Sequence, residues 1–96
     1  MCFKVEIEFF ENARSMPPNG DNYRPHFVVE ESDVLLGIQF KSLARIQFGQ
    51  RVIASVFTLY DGVDYNALSP GSHFKILEGR TVVGKGMVIG HESEQT

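Results

Sequence analysis

P-G-S-H-F-K-I-L-E-G-R-T-V-V-G-K-G-M-V-I, running from Pro70 to Ile89, is the stretch whose reading decides the fold. Ser72 to Glu78 and Thr81 to Ile89 are rich in β-branched and aromatic residues, and only Gly79 and Arg80 stand between them. Two strand-like runs separated by two residues, one of them glycine, predict a β-hairpin. Pro70-Gly71 ends whatever precedes it. Strict alternation along the second strand puts Val82, Gly84, Gly86 and Val88 on one face and Thr81, Val83, Lys85, Met87 and Ile89 on the other. Two glycines on one face predict a close backbone approach at a barrel corner.

Outward from the hairpin, the other segments also read as strands and turns. Asp61 to Ser69 is a polar connection in which Val63, Tyr65, Ala67 and Leu68 pack locally. Arg51 to Tyr60 carries apolar residues on both faces, which predicts a central strand covered on both sides or one that crosses the barrel. Lys41 to Gly49 is less regular, with Leu43, Ile46 and Phe48 placed to cover a barrel end. In Asp33 to Phe40 the residues Val34, Leu36, Ile38 and Phe40 share one side, the pattern of a half-buried strand. Tyr23 to Glu30 is a further strand in which Pro25, lacking a backbone donor, belongs at a strand start, an edge or a bulge. Phe3, Val5, Ile7 and Phe9 alternate with Lys4, Glu6 and Glu8, giving an opening strand with one face in the core.

Glu11 to Asn22 gathers Asn, Ser, Pro and Gly and reads as an exposed, mobile loop. Its length admits either a functional role or simple tolerance of insertion. The polar tail from His91 to Thr96 is expected to fray. About six short strands with no helix predict a single all-β domain over residues 1–96, antiparallel, as a closed barrel because closure removes exposed edges, or alternatively as a β-sandwich.

Composition narrows the function classes. Ninety-six residues make one domain, and 43% apolar content with eight Phe and no Trp suits a folded soluble chain. Twelve acidic against nine basic residues give a formal charge of −3, which argues against strong independent nucleic-acid binding through phosphates and leaves room only for a local basic patch. Cys2 is the only cysteine, so no internal disulfide forms and a reducing compartment fits. Met1 reads as a native start. With no signal pattern, no lipidation pattern and no apolar run near the ~18 residues of a membrane span, cytoplasm is the expected location.

Chemical motifs are scarce. Gly79 to Gly86, G-R-T-V-V-G-K-G, approaches a phosphate-cradling loop, but Gly86 replaces the Ser or Thr that would hold Mg²⁺ and Met87-Val88-Ile89 continues as strand rather than helix. His26, His73 and His91 lie far apart without ligand spacing. Asp61, Asp64 and Asn66 miss the calcium-loop pattern and read as a turn rich in Asx residues. Ser72 beside His73 is no triad, because strand neighbours point to opposite faces. No metal, cofactor or catalytic group is expected.

Several short words in this chain, in the same order and spacing, resemble the third, C-terminal β-barrel domain of elongation factor Tu. F-K-V-E-I at Phe3 to Ile7 is similar to that domain's opening strand. N-Y-R-P-H-F at Asn22 to Phe27 resembles its N-Y-R-P-Q-F, and Ser32-Asp33-Val34 with Gly37 resembles its T-D-V-T-G. Phe74 to Ile89 resembles its closing hairpin. The resemblance implies a six-stranded antiparallel Greek-key barrel of the translation elongation factor C-terminal domain type. It does not extend to the GTPase domain or the second barrel, so neither GTP binding nor hydrolysis is carried over and the chain is expected not to be an enzyme.

In that family the third domain helps hold the T stem of transfer RNA and contacts partner proteins. The resemblance therefore implies tRNA or partner contacts at Arg24, His26, Glu78, Gly79 and Arg80, with His26 standing where the family has Gln. Two departures oppose an RNA role. The family's Thr falls on Leu35 or Leu36, and a family Lys falls on Asp61; each should weaken a phosphate-rich contact by roughly a kcal/mol or more. A structural reading of Tyr23 to Phe27, with both rings in the core and Arg24-Pro25 shaping the strand entry, stands beside the binding one. The functional expectation is a non-catalytic, translation-associated module that binds a protein partner or, weakly, tRNA. One alternative is an immunity or inhibitor protein that imitates the elongation factor to mask a toxin or regulator; another is a scaffold domain self-associating through Val52 to Tyr60.

Overall fold

Hydrophobic alternation with a period of two gives a strand one buried and one wet face, and sheets built of such strands bury the apolar face by packing or by closure. The computed structural model describes residues 2–11, 17–18, 22–41, 43 and 46–92. It shows closure. Six strands, β1 (Cys2–Phe9), β2 (His26–Val29), β3 (Leu36–Phe40), β4 (Val52–Thr58), β5 (His73–Glu78) and β6 (Thr81–Glu92), form a barrel in the order β1-β4-β3-β2-β5-β6. Every pairing is antiparallel, including the closing one between β6 and β1. The barrel, not the sandwich, is therefore the architecture.

Five rings contribute the largest side chains of the interior. Phe3, Phe9, Phe27, Phe40 and Phe74 are fully buried beside Val5, Ile7, Leu36, Ile38, Val56, Ile76 and Val88. Phe27 stacks on Phe74 with centroids 3.9 Å apart, and Phe40 meets Phe27 edge-on at 6.1 Å. Leu43 and Ile46, from the irregular segment after β3, join this core, and Phe48 packs against it. Tyr65 and Leu68 are core residues as well, whereas Val63 and Ala67 from the same connection are exposed. Among the described residues no helix is long and apolar enough to cross a membrane.

The closing hairpin forms as expected, with Glu78 opposite Thr81 and Gly79-Arg80 as a two-residue turn. Gly79 takes a φ of 59° while Arg80 does not turn positive, the type II′ arrangement whose twist matches antiparallel strands. Beyond the turn, strict alternation fails. Leu77 pairs with Val82 but Ile76 pairs with Gly84, so Val83 is an extra residue in β6. This bulge turns Val83 into the core and leaves Val82 exposed, the reverse of the faces that period two assigns. A second register shift, between the pairs Lys4–Gly90 and Val5–Val88, makes Ile89 extra and bends the strand again.

The two glycines between these bulges have the predicted close contacts. A Cβ on Gly84 would lie 2.5 Å from the Glu8 carbonyl oxygen, and one on Gly86 would lie 2.5 Å from that of Glu6 and 2.6 Å from the Phe74 ring. β6 also runs further than expected. It reaches Glu92, with the His91 ring 4.8 Å from Phe3, so pairing with β1 replaces the fraying expected from His91; residues 93–96 lie outside the described residues.

Two other expectations need correction. β3 begins at Leu36 rather than Asp33, and Val34 is exposed instead of sharing the buried side. Local bonds explain the delay: the Ser32 amide donates to the Val29 carbonyl (3.0 Å) and the Val34 amide to Ser32 Oγ (3.1 Å), holding a turn that competes with the ladder. β4 is not covered on both sides. Ala54 and Val56 face inward while Ile53 is 55% exposed, because a closed barrel has one interior. Of the loop 11–22, residues 12–16 and 19–21 lie outside the described residues. Pro25 does sit at a strand start, and its carbonyl and that of Tyr23 accept from Ile38 (3.1 Å) and Phe40 (3.0 Å) to prolong the β2–β3 seam.

Gly86→Ala and Gly84→Ala should each destabilise the barrel by about 2 kcal/mol or more, because backbone oxygens cannot step aside. Gly90→Ala, with nothing within 4 Å of its Cβ position, should be near neutral in the same denaturant titration. Glu31 has a φ of 67° at the third position of the turn from Val29 to Ser32, a place that favours glycine. Glu31→Gly should raise the unfolding free energy by about 1 kcal/mol in thermal or chemical melts.

Candidate functional site

The segment Asn22 to Phe27 enters the sheet where Pro25 ends the donor ladder, and alternation then sends its side chains to different places. Tyr23 turns inward at the barrel end, its ring 5.9 Å from Phe9 and 5.5 Å from Phe40. Its hydroxyl donates to Glu78 Oε2 at 2.6 Å, a charge-assisted bond between residues far apart in the chain. Arg24 lies outside, where its Nε donates to Gln39 Oε1 at 2.9 Å. His26 stands between Leu77 of β5 and Gly37 of β3.

Gly37 is the floor of a shallow pocket of about 240 Å³ on this outer face, lined by Arg24, Pro25, His26, Leu59 and Tyr60. A Cβ at Gly37 would fall 2.3 Å from Tyr60 Cε2, so the Tyr60 ring occupies the space over the glycine. Tyr60 nonetheless remains 55% exposed. Its backbone is steadied from behind: the buried Tyr65 hydroxyl donates to the Gly37 carbonyl at 2.8 Å and accepts from the Tyr60 amide at 3.4 Å. An exposed aromatic face flanked by a guanidinium and an imidazole is suited to stacking and to hydrogen bonding with a planar or anionic group.

The five residues implied by resemblance therefore divide into three groups. Arg24 and His26 share the pocket. Glu78 is bonded to Tyr23 at the barrel end, so its carboxylate already has a structural task. Gly79 and Arg80 form the exposed hairpin turn. Of the departures, Leu36 is core and Leu35 is 52% exposed, while Asp61 is exposed directly after Tyr60. Leu59 and Tyr60 are pocket residues given no site role from sequence, and Gly37 enters there only as part of the resemblance. A glycine inside a strand pattern is the signal for Gly37, since it marks a site where another group comes close.

Asp64 Oδ1 accepts from the Asn66 amide at 2.8 Å, the expected Asx turn. Among the described residues no group of three or more His, Cys, Asp or Glu could hold a metal ion. Gly79 to Gly86 runs from the turn into β6, as strand. No protein-family model matches this chain, and no curated protein matches it in sequence.

Tyr23→Phe removes a bond to a carboxylate and should lower stability by about 1.5–2 kcal/mol, read from the denaturant midpoint. Glu78→Gln, which keeps an acceptor, should lose less.

Proposed function

We propose that this protein is a non-catalytic binding module of the elongation factor Tu third-domain type, acting in the cytoplasm in association with translation. It binds a protein partner there or, weakly, transfer RNA. The observation that carries the reading is the Tyr23–Glu78 bond, which joins the Asn22 to Phe27 segment to the closing hairpin, so that two of the sequence words similar to the family meet at one end of the barrel. The strand order supports the Greek-key part of the reading: β2, β3 and β4 are sequential neighbours and β1 lies beside β4. The Arg24–His26–Tyr60 pocket supplies the contact surface. Cys2, buried, fits a reducing compartment.

The net charge of −3 sets the strength expected of any RNA contact. With few phosphates neutralised, affinity is low and its dependence on salt is shallow. Titration of aminoacylated and uncharged tRNA at low salt should show weak saturable binding, reduced about fivefold by Arg24→Ala with His26→Ala. Absence of binding at low salt removes the RNA arm. Failure to co-purify any translation factor or ribosomal component from its own cell extract removes the protein arm.

A further inference from the structure

A groove of about 500 Å³ runs across the outside of β1, β5 and β6, away from the Tyr60 pocket. The register of these strands fixes what faces it. Lys75 and Lys85 stand directly opposite each other, and on the other side of β6 Lys85 is opposite Glu8. Glu8 is also 3.7 Å from the Arg51 guanidinium, so the row reads Lys75, Lys85, Glu8, Arg51, three cations to one carboxylate. In the adjacent row Met87 lies between His73 and Glu6, and the Glu30 amide donates to the His73 carbonyl, which puts a carboxylate residue at each end.

Like charges directly opposite in an antiparallel pair destabilise the sheet. Here the repelling pair sits in a concavity, beside the half-buried, adaptable Met87 and near Phe10. We propose that this groove docks an acidic protein segment: an extended stretch with carboxylates for the Lys75–Lys85–Arg51 row and an apolar side chain laid against Met87. The partner's carboxylates relieve the lysine repulsion, which makes the bound state more favourable than the contact alone. A protein segment fits better than a nucleic acid, because Glu6 and Glu30 border the apolar spot and repel a continuous run of phosphates, whereas a peptide alternates charged and apolar groups. The inference deepens the binding-module reading by assigning a partner chemistry to a second surface, and it rests on that reading's claim that the protein works by binding.

An octapeptide of alternating Glu and Leu, titrated at low salt into the isotope-labelled protein, tests the proposal. Amide shifts are expected at residues 6–8, 73–76 and 85–87, fading as salt rises. Lys75→Ala with Lys85→Ala should weaken binding about tenfold or more while leaving the melting temperature equal to or above that of the unsubstituted protein. Arg24→Ala with His26→Ala should bind the peptide normally, which separates this surface from the tRNA pocket. No peptide binding, shifts elsewhere, equal binding of the Lys-Leu octapeptide, or tighter binding of an oligouridylate in the groove would each overturn it.

Discussion

The barrel depends on how closely β6 can approach β1. Six strands enclose a narrow interior, and the seam that closes it runs from Cys2–Glu92 to Phe9–Gly84. At Gly86 the space a side chain would take is occupied by the end of the Phe74 ring and by Ile7, and at Gly84 by Phe9 and Ile76. The absent Cβ atoms therefore do two things at once. They let the carbonyls of Glu6 and Glu8 come close, and they leave volume for the ring that stacks on Phe27. A core built of large rings in so small a barrel needs such vacant positions, because interiors are close-packed and extra methyl groups force backbone movement.

The opposite side of the barrel is joined more sparingly. β2 and β3 are paired at His26–Gly37 and Phe27–Leu36, between the proline at position 25 and the turn after Val29. Where the ladder is short, side chains take over the fastening: Tyr23 to Glu78, Arg24 to Gln39, and Tyr65 to the Gly37 carbonyl. The same shortage of side-chain bulk at Gly37 that admits Tyr60 onto the outer surface creates the pocket. Glycine thus acts twice in this fold, once facing inward to seat Phe74 and once facing outward to seat Tyr60.

Much of this was legible in the sequence because it follows from period two. Phe3, Val5, Ile7 and Phe9 announce β1, the glycine turn announces the hairpin, and closure follows from the number of short strands without helices. Bulges break that logic. One extra residue at Val83 reverses the faces of its neighbours, and nothing in a run of β-branched residues marks which of them is extra. β4 misled for another reason: Ile53 and Phe57 are as apolar as Ala54 and Val56, and apolarity on both faces does not distinguish covered from exposed. The site was half legible. Arg24 and His26 came from resemblance, whereas Tyr60 reaches them only by lying over Gly37, a contact that no local pattern marks.

The Lys75–Lys85 pair has no evident role in holding the fold. Lysines often protect exposed strand edges from pairing with other chains, but a closed barrel leaves no edge to protect. Solubility does not require the pair either, since a lysine opposite a carboxylate serves as well, as Lys85 opposite Glu8 shows on the adjoining strand. Local twist is set by the bulges on either side. What remains is a pair of lysines facing each other in an outer concavity, next to an adaptable apolar side chain. Charge that costs stability in the isolated molecule yet sits where a partner would gain from it is best explained by the bound state, in which an incoming carboxylate replaces the missing counter-charge.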